Sequence, residues 1–511
     1  MRKIKILLFS IITFLLQNTL QAQFGVVSEY TYGGSGFDLA FDMKITTDGG
    51  YIMAGYSDSD DDDVTGALGD NDVWVAQTDD AGNLEWEANY GGTGKEVARV
   101  IIPSGDGGWV LVGYTASVDG DITDNSGFKD AWVLKIDDVG TLLWQNTFGG
   151  ELDDVFNNVT ATSDGGFLCV GNSNSLTGDL TSNYGGDDVW VVKINADGDM
   201  DWQKNYGGSN NDVANAVVEV ADGYVFIAET GSNDIDVSGN HHDDLTPFTD
   251  FWAVKIETDG DIVWQKCYGG FSHESGRNII ETSDGDFIAI GSAQSSDGDV
   301  VGHYGAVNKT DGWVIQIDAD GTLLDNQNYG GSFNDNLYSI TEDLDGAYVI
   351  GGQSNSLDFD ITGHHGGGST ADFWVIKINT DLSLDFSVSL GGSEDDVAQA
   401  VFPLDAENYI AAGYAKSTDG DVSDHHGVDP NHDFWLVNIG PCSLAITTDP
   451  VDVEVCEGQE VTVTVESSPS GALFEWIFVG GPTFTTGTNT LVIDEVTAAY
   501  DGDYYVIVSG A

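Results

Sequence analysis

The sequence predicts an all-β protein whose main body is a seven-bladed β-propeller closed by the N-terminal strand, followed by a smaller β-sandwich. Three observations predict it. A stretch typified by DVWVVKINADGDMDWQKNYGG (188–208) returns seven times, with its Asp-x-Trp at Asp72/Trp74, Asp130/Trp132, Asp188/Trp190, Asp250/Trp252, Asp311/Trp313, Asp372/Trp374 and Asp433/Trp435. The glycine pair that ends it follows Tyr32, Tyr90, Phe148, Tyr206, Tyr268, Tyr329 and Leu390, at spacings of 58, 58, 58, 62, 61 and 61 residues. Finally, an orphan strand with its own glycine pair (FGVVSEYTYGG, 24–34) precedes the first full repeat, and the seventh repeat stops after DFWLVNI (433–439). The start of the chain thus supplies the strand its last repeat lacks, which removes an open sheet edge.

Residues 1–22 read as an export signal. Met1–Lys5 is basic, Ile6–Leu16 is apolar, and Leu20-Gln21-Ala22 offers a small-residue cleavage site. That run is too short to span a bilayer and no later segment reaches 18 apolar residues, so a secreted or cell-surface protein without a membrane span is expected.

Residues 23–440 carry the repeats. In the third, strands A to D are expected at about 154–162, 167–172, 188–195 and 200–206, with Asp-Gly turns after A and C and a long Gly/Asp/Asn/Ser loop between B and C. Sustained 3.6-residue periodicity is missing, so no helix is expected. The strand-C tryptophans recur at one register and are read as packing between blades, not as a sugar platform.

Residues 441–511 change composition: Thr, Val and Ser rise while Asp-Gly turns fade. GQEVTVTV (458–465) alternates like a sandwich strand, Trp476 sits where a core tryptophan belongs, and TAAYDGDYYV (497–506) resembles the strand E–F corner of immunoglobulin-like domains, with Tyr504 as the corner tyrosine. Val465 and Val506 stand where the inter-sheet disulfide of antibody domains would be. A last strand pairing with Ile507 is missing, so this immunoglobulin-like sandwich is expected to be incomplete and the natural chain to continue. Of the four cysteines, Cys442 and Cys456 flank one short segment and form the expected disulfide. Cys169 and Cys267 lie in non-equivalent strands, and no bond between them is expected.

Acidic residues number 85 against 16 basic ones, a net charge of −69. Such a field disfavours nucleic acid and anionic membranes and favours cations. Three acidic positions recur in register. The first follows the glycine pair (Asp38, Glu96, Asp154, Asp212, Glu274, Asp335, Asp396). The second lies in the B–C loop (Asp63, Asp121, Asp179, Asp236, Asp299, Asp360, Asp421), with an acid two residues earlier in every repeat but the third, which has Thr177. The third is the Asp of Asp-x-Trp. All fall on one face, so the three acids of one repeat are expected to converge. Two accounts compete: the carboxylates brace the loops by accepting N–H groups, or they bind calcium. The calcium candidates are Asp119, Asp121 and Asp130; Asp297, Asp299 and Asp311; and Asp419, Asp421 and Asp433.

All nine histidines share that face, including the pairs His241-His242, His364-His365 and His425-His426; such pairs can bind a transition metal but are more often simply exposed. No Ser-His-Asp, Cys-His or phosphate-cradling pattern appears, and no catalytic residue is assigned. The repeat pattern, GG-x4-[DE] then TSDGG-[FY] then DxWVxKID-x2-G-x3-W-x3-YGG, resembles the β-propeller repeats of secreted Bacteroidetes proteins across residues 24–440. Those proteins often carry immunoglobulin-like modules and a type IX secretion sorting domain, and no sorting domain occurs in these 511 residues. The resemblance implies a surface or extracellular protein and carries no catalytic activity. A non-catalytic binding or adhesion protein is therefore expected, a monomer taking an extracellular glycan or protein ligand on its loop face. The alternative is a propeller hydrolase or lyase acting on polysaccharide or phosphate esters, which would need unlike polar residues meeting near the axis. The long histidine-bearing loops of repeats four to seven spread over several blades and do not converge in this way.

Overall fold

The computed structural model describes residues 3–12 and 24–441, except 243–247, 307 and 428–430, together with strand segments between Ala445 and Ser509. The chain divides into two units, Val26–Ile439 and Met1–Gly25 with Gly440–Ala511.

The first unit is a seven-bladed β-propeller of four-stranded antiparallel sheets, with no helix among the described residues. Blade three runs Asp154–Ala161, Phe167–Ser173, Asp188–Ile194 and Met200–Tyr206, each end within a residue or so of the sequence reading. In the seventh sheet the order is Phe24–Tyr32, Asp433–Pro441, Tyr409–Ala415, Asp396–Pro403.

The alternating strands bury both faces because each sheet is sandwiched between two others. Every residue of strand C in blade three is buried, and its two faces join two cores: Val189 and Val191 pack with Tyr224, Phe226 and Trp252 of the next blade, and Trp190, Val192 and Ile194 with Val110, Val112 and Val133 of the preceding one. All seven strand-C tryptophans are fully buried. Each also donates its Nε1 hydrogen to strand D: Trp74 to Glu87 (3.0 Å), Trp132 to Gln145 (2.8 Å), Trp190 to Gln203 (3.1 Å), Trp252 to Gln265 (2.9 Å), Trp313 to Asn326 (3.1 Å), Trp374 to Ser387 (2.9 Å) and Trp435 to Glu29 (2.9 Å). A buried indole must satisfy its N–H, and the strand-D polar residue 13 positions on does so in six blades. In the seventh the acceptor comes from the other end of the chain.

Strand A departs from regular pairing in every blade. Its register against strand B slips between Ala40/Asp42, Ala98/Val100, Phe156/Asn158, Ala214/Ala216, Gly276/Asn278, Leu337/Ser339 and Ala398/Ala400. These are β-bulges, one extra residue per blade. They explain a glycine inside the apolar strand B: a Cβ on Gly55, Gly113 or Gly171 would lie 1.8, 1.8 or 2.0 Å from a strand-A carbonyl. Blade four has Ala228 there instead.

The second unit contains a five-stranded sheet in the order Val453–Cys456, Lys3–Ile12, Gly502–Ser509, Leu473–Phe478, Thr483–Thr485, and two two-stranded sheets. Lys3–Ile12, inside the expected export signal, runs parallel to Gly502–Ser509 with Ile11 opposite Ile507. The expected Cys442–Cys456 disulfide lies outside the described residues. Cys169 and Cys267 are free thiols.

Candidate functional site

The loop-bearing face is built at the junctions between blades, and blade three shows how. Gly149-Gly150-Glu151-Leu152 links blade two to blade three and is gripped through its N–H groups by blade three's own acceptors. Asp179 accepts from Gly149 (3.0 Å), Asp154 from Gly150 (2.7 Å), the Thr177 hydroxyl from Glu151 (3.2 Å) and the Ser175 hydroxyl from Leu152 (3.0 Å). The same four contacts recur at 2.7–3.0 Å from Asp121, Glu96, Asp119 and Ser117. They recur at 2.8–3.3 Å from Asp299, Glu274, Asp297 and Ser295, and at 2.7–3.3 Å from Asp421, Asp396, Asp419 and Ser417. Carboxylates make strong, charge-assisted bonds to backbone N–H groups, which is what a long glycine-rich connection needs to hold one shape. Thr177 is instructive. The one repeat lacking an acid at that position does the same task with a hydroxyl, so the position serves to accept an N–H.

The third acid, from Asp-x-Trp, braces its own B–C loop. Asp130 accepts from Ser126 (2.7 Å), Asp311 from Tyr304 (2.6 Å) and Asp433 from His426 (2.5 Å). Contrary to expectation, the three acids of one repeat do not converge. The third acid of one blade faces the first and second of the next: Asp188 lies by Asp212 and Asp236, Asp311 by Asp335 and Asp360, and Asp72 by Glu96 and Asp121. The reason is that the first two acids reach back over the inter-blade connection. Asp130 therefore neighbours Asp154 across Gly149. Among the described residues no group of three or more His, Cys, Asp or Glu side chains is arranged to hold a metal ion.

Each junction is thus a buried meeting of like charges. Burial pushes Asp188 and Asp311 up to about 7, with neighbouring carboxylates adding to the effect. Glu274 likewise rises to about 7, and Asp38, Asp130 and Asp396 to about 6. One oxygen, Oδ1, of all seven Asp-x-Trp aspartates is buried with no hydrogen-bond partner. The first glycine of the pair leaves room for this: a Cβ on Gly149 would lie 2.6 Å from Asp154 Oδ2 and 3.1 Å from Asp130 Oδ1.

Histidines enter three of these junctions: the buried side chains of His364 and His425 approach Asp372 (3.3 Å) and Asp433 (3.9 Å), and in each of the three one histidine lies between two acids. His241 Nδ1 is 2.6 Å from Asp250 and its Nε2 3.6 Å from Asp299; His426 Nδ1 is 3.0 Å from Asp433 and its Nε2 3.8 Å from Asp63. His365 lies 3.4 Å from Asp372 and 3.8 Å from Asp421. Their carboxylate partners hold the imidazoles of His241, His365 and His426 above the usual histidine range. Blade five places Tyr304 at the same point, its N–H on Asp311.

Two sets of residues escaped the sequence reading. The junction serines (Ser59, Ser117, Ser175, Ser232, Ser295, Ser356, Ser417) recur at one register in all seven repeats, a signal that was available. The bulge residues left only an indirect one, the strand-B glycine. Phe41, Arg99, Asn157, Asn215, Arg277, Tyr338 and Gln399 are the extra residues of the seven strands A, and all line a central cavity of about 710 Å³. Unlike residues do therefore meet at the axis, although the histidine-bearing loops do not.

No protein-family model matches the chain, and no curated protein matches it. Solved structures similar to it include a protein of unknown function from Bacteroides caccae (12% identity, 64% of this chain and 93% of that one, TM-score 0.34). Another is Drosophila Semaphorin 1b, extracellular domains 1-2 (7% identity, 83% and 88%, TM-score 0.43). A third is the Neurospora crassa Pan2 WD40 domain (11% identity, 67% and 89%, TM-score 0.37).

Proposed function

We propose that this chain is a non-catalytic, exported binding or adhesion protein that receives an extracellular protein or glycan on the loop-bearing face of its propeller. The observation that carries the reading is where apolar side chains are left in water. Eleven of the eighteen exposed large hydrophobic residues lie on B–C loops or inter-blade connections, among them Val118 (74% exposed), Phe128 (72%) and Leu176 (69%). Apolar side chains displayed on loops held rigid from beneath are the usual make-up of a recognition surface.

In this reading residues 1–22 are an export signal, the N-terminal strand closes the ring, and residues 441–511 are an immunoglobulin-like sandwich of a cell-surface protein. Support for closure comes from Glu29, which accepts the Trp435 indole as Glu87 accepts that of Trp74. The hydrolase or lyase alternative is disfavoured because the axial position carries arginines, which hold anions but do not move protons at neutral pH. The test is a glycan array and a surface-protein capture screen, run beside a polysaccharide and phosphate-ester turnover panel. The Phe128→Ser/Leu176→Ser variant should lose about ten-fold or more in capture with its melting temperature unchanged. Turnover of any substrate in the panel would overturn the reading.

A further inference from the structure

In a chain of net charge −69, the axial cavity is lined by more basic than acidic side chains. Of the 16 lysines and arginines, Arg2, Lys3 and Lys5 lie in the leader. Among those that remain, Lys44, Arg99, Lys129 and Arg277 line this one cavity, and they include both remaining arginines. Two acids line it, Asp42 and Glu229, and both are engaged. Asp42 pairs with Lys44 at 2.6 Å, and Glu229 accepts from the Ser275 hydroxyl. Lys129 lies over the Tyr114 ring, 4.8 Å from its centroid.

The two arginines are left without an acidic partner among the described residues. The Arg99 guanidinium lies 5.1 Å from the Phe41 ring centroid, and its Nε is buried with no hydrogen-bond partner. Arg277 projects from the equivalent bulge of blade five, about half-way round the ring. Both side chains line the one cavity; burial above all lowers the Arg99 pKa, and the like charge of Arg277 acts in the same direction. Arg277 is exposed to the channel and Arg99 half-buried beside it, so the two guanidiniums, with five N–H donors each, leave donors open to an anion that enters. A regular strand would aim neither residue there; the bulge re-aims both.

The remaining walls have a second chemistry. Asn157 and Asn215 spend their amide N–H groups on the carbonyls of Ala214 (3.0 Å) and Gly276 (2.7 Å), which leaves their amide oxygens as acceptors. Tyr114 and Tyr338 add aromatic surface and hydroxyls. Acceptors for hydroxyl groups, flat rings and a cationic clamp together suit a sugar that bears an acid. A volume of about 710 Å³ is within the range of small-molecule pockets.

We propose that the axial channel binds an anionic saccharide, with its acidic group clamped between Arg99 and Arg277 and its hydroxyls on Asn157 and Asn215. The site does not depend on the loop-face reading, since none of the exposed apolar loop residues lines it. Calorimetric titration of the full mature chain with trigalacturonate, a sulfated disaccharide, inorganic phosphate and neutral maltotriose tests it. The uronate or the sulfated sugar should bind and maltotriose should not. Arg277→Gln should weaken binding by about ten-fold or more, and Arg99→Gln/Arg277→Gln should abolish it. Phe128→Ser/Leu176→Ser should leave it unchanged, whatever becomes of capture at the loop face. Because Arg277 is exposed and has no acidic partner among the described residues, Arg277→Gln should leave the unliganded melting temperature unchanged. Equal binding of maltotriose, phosphate binding as tight as the saccharides, binding indifferent to Arg277→Gln, a lowered unliganded melting temperature, or no anion binding would each overturn the proposal.

Discussion

The blade junctions and the axial channel are built from the same repeat, yet they use it in opposite ways. At the junctions, seven copies of one residue set do one task seven times. Acids and a serine hold the inter-blade connection, and where an acid is missing Thr177 does its work. At the axis, the equivalent position in the seven blades holds five different residue types: Phe41, Arg99, Asn157, Asn215, Arg277, Tyr338 and Gln399. The difference teaches that periodicity in this chain marks the frame, and that its loss at one position marks where a unique ligand site can form. The bulge permits this, because an extra residue outside the ladder is free of the pairing that constrains its neighbours.

The largest effect should come from breaking the frame. Trp190 is fully buried, stacks on Phe156 at 5.3 Å and donates to Gln203. Trp190→Ala should destabilise the propeller by about 3–5 kcal/mol through lost packing and a residual cavity. Gln399 faces the channel and bonds Tyr414, so Gln399→Ala should cost about 1 kcal/mol or less. Denaturant unfolding of both variants checks the contrast. Similar losses would show that the axis is frame as well.

The second effect separates the regions by pH. Asp188 titrates near 7 in the fold, against about 3.9 in an unfolded chain. A raised carboxyl favours folding in full below about pH 4, and that contribution is lost as pH rises toward 7. Three units correspond to a ceiling of about 4 kcal/mol for such a group. His241, His365 and His426, held up by their aspartates, act with the same sign: their contribution is present below about 6.5 and is lost above it. The melting temperature should therefore be higher at pH 5 than at pH 8. Asp188→Asn, which keeps an acceptor for the Tyr184 N–H and loses the charge, should narrow that gap by melting higher than the native protein at pH 8. An unchanged gap would mean that the junction carboxylates are not coupled. Channel variants should leave it alone.

Most of the frame was legible in the sequence, because it is periodic and each copy checks the others. The strand limits of blade three, the seven tryptophans and the bracing acids could all be read from register. What the period could not give was which blade's acids meet. Asp188 and Asp212 are separated by the whole C–D hairpin, and only the fold brings them together. The axis was illegible for the opposite reason. Arg99 and Arg277 sit in otherwise ordinary strands, and an alternating pattern cannot show that both point inward. Glycines such as Gly113 and Gly171, interrupting an apolar strand at one register, were the trace of the bulge, and Ala228 in blade four blurred it.

The smallest effect expected concerns calcium. Six of the nine candidate aspartates accept an N–H of the inter-blade connection. Asp130, Asp311 and Asp433 each accept one from their own loop, and each has its other oxygen buried beside the next blade's acid. Calcium wants six to eight oxygens around one point, and these carboxylates are spread along a connection where their lone pairs already serve backbone hydrogens. We therefore expect the melting temperature to agree within about 1 °C between millimolar calcium and excess chelator, measured at one ionic strength so that screening of the −69 charge is held constant. A cation that bound the fold specifically would raise the melting temperature with the logarithm of its concentration. Such a rise, if absent with magnesium at the same ionic strength, would make the junctions ligand sites in their own right and erase the line between frame and site.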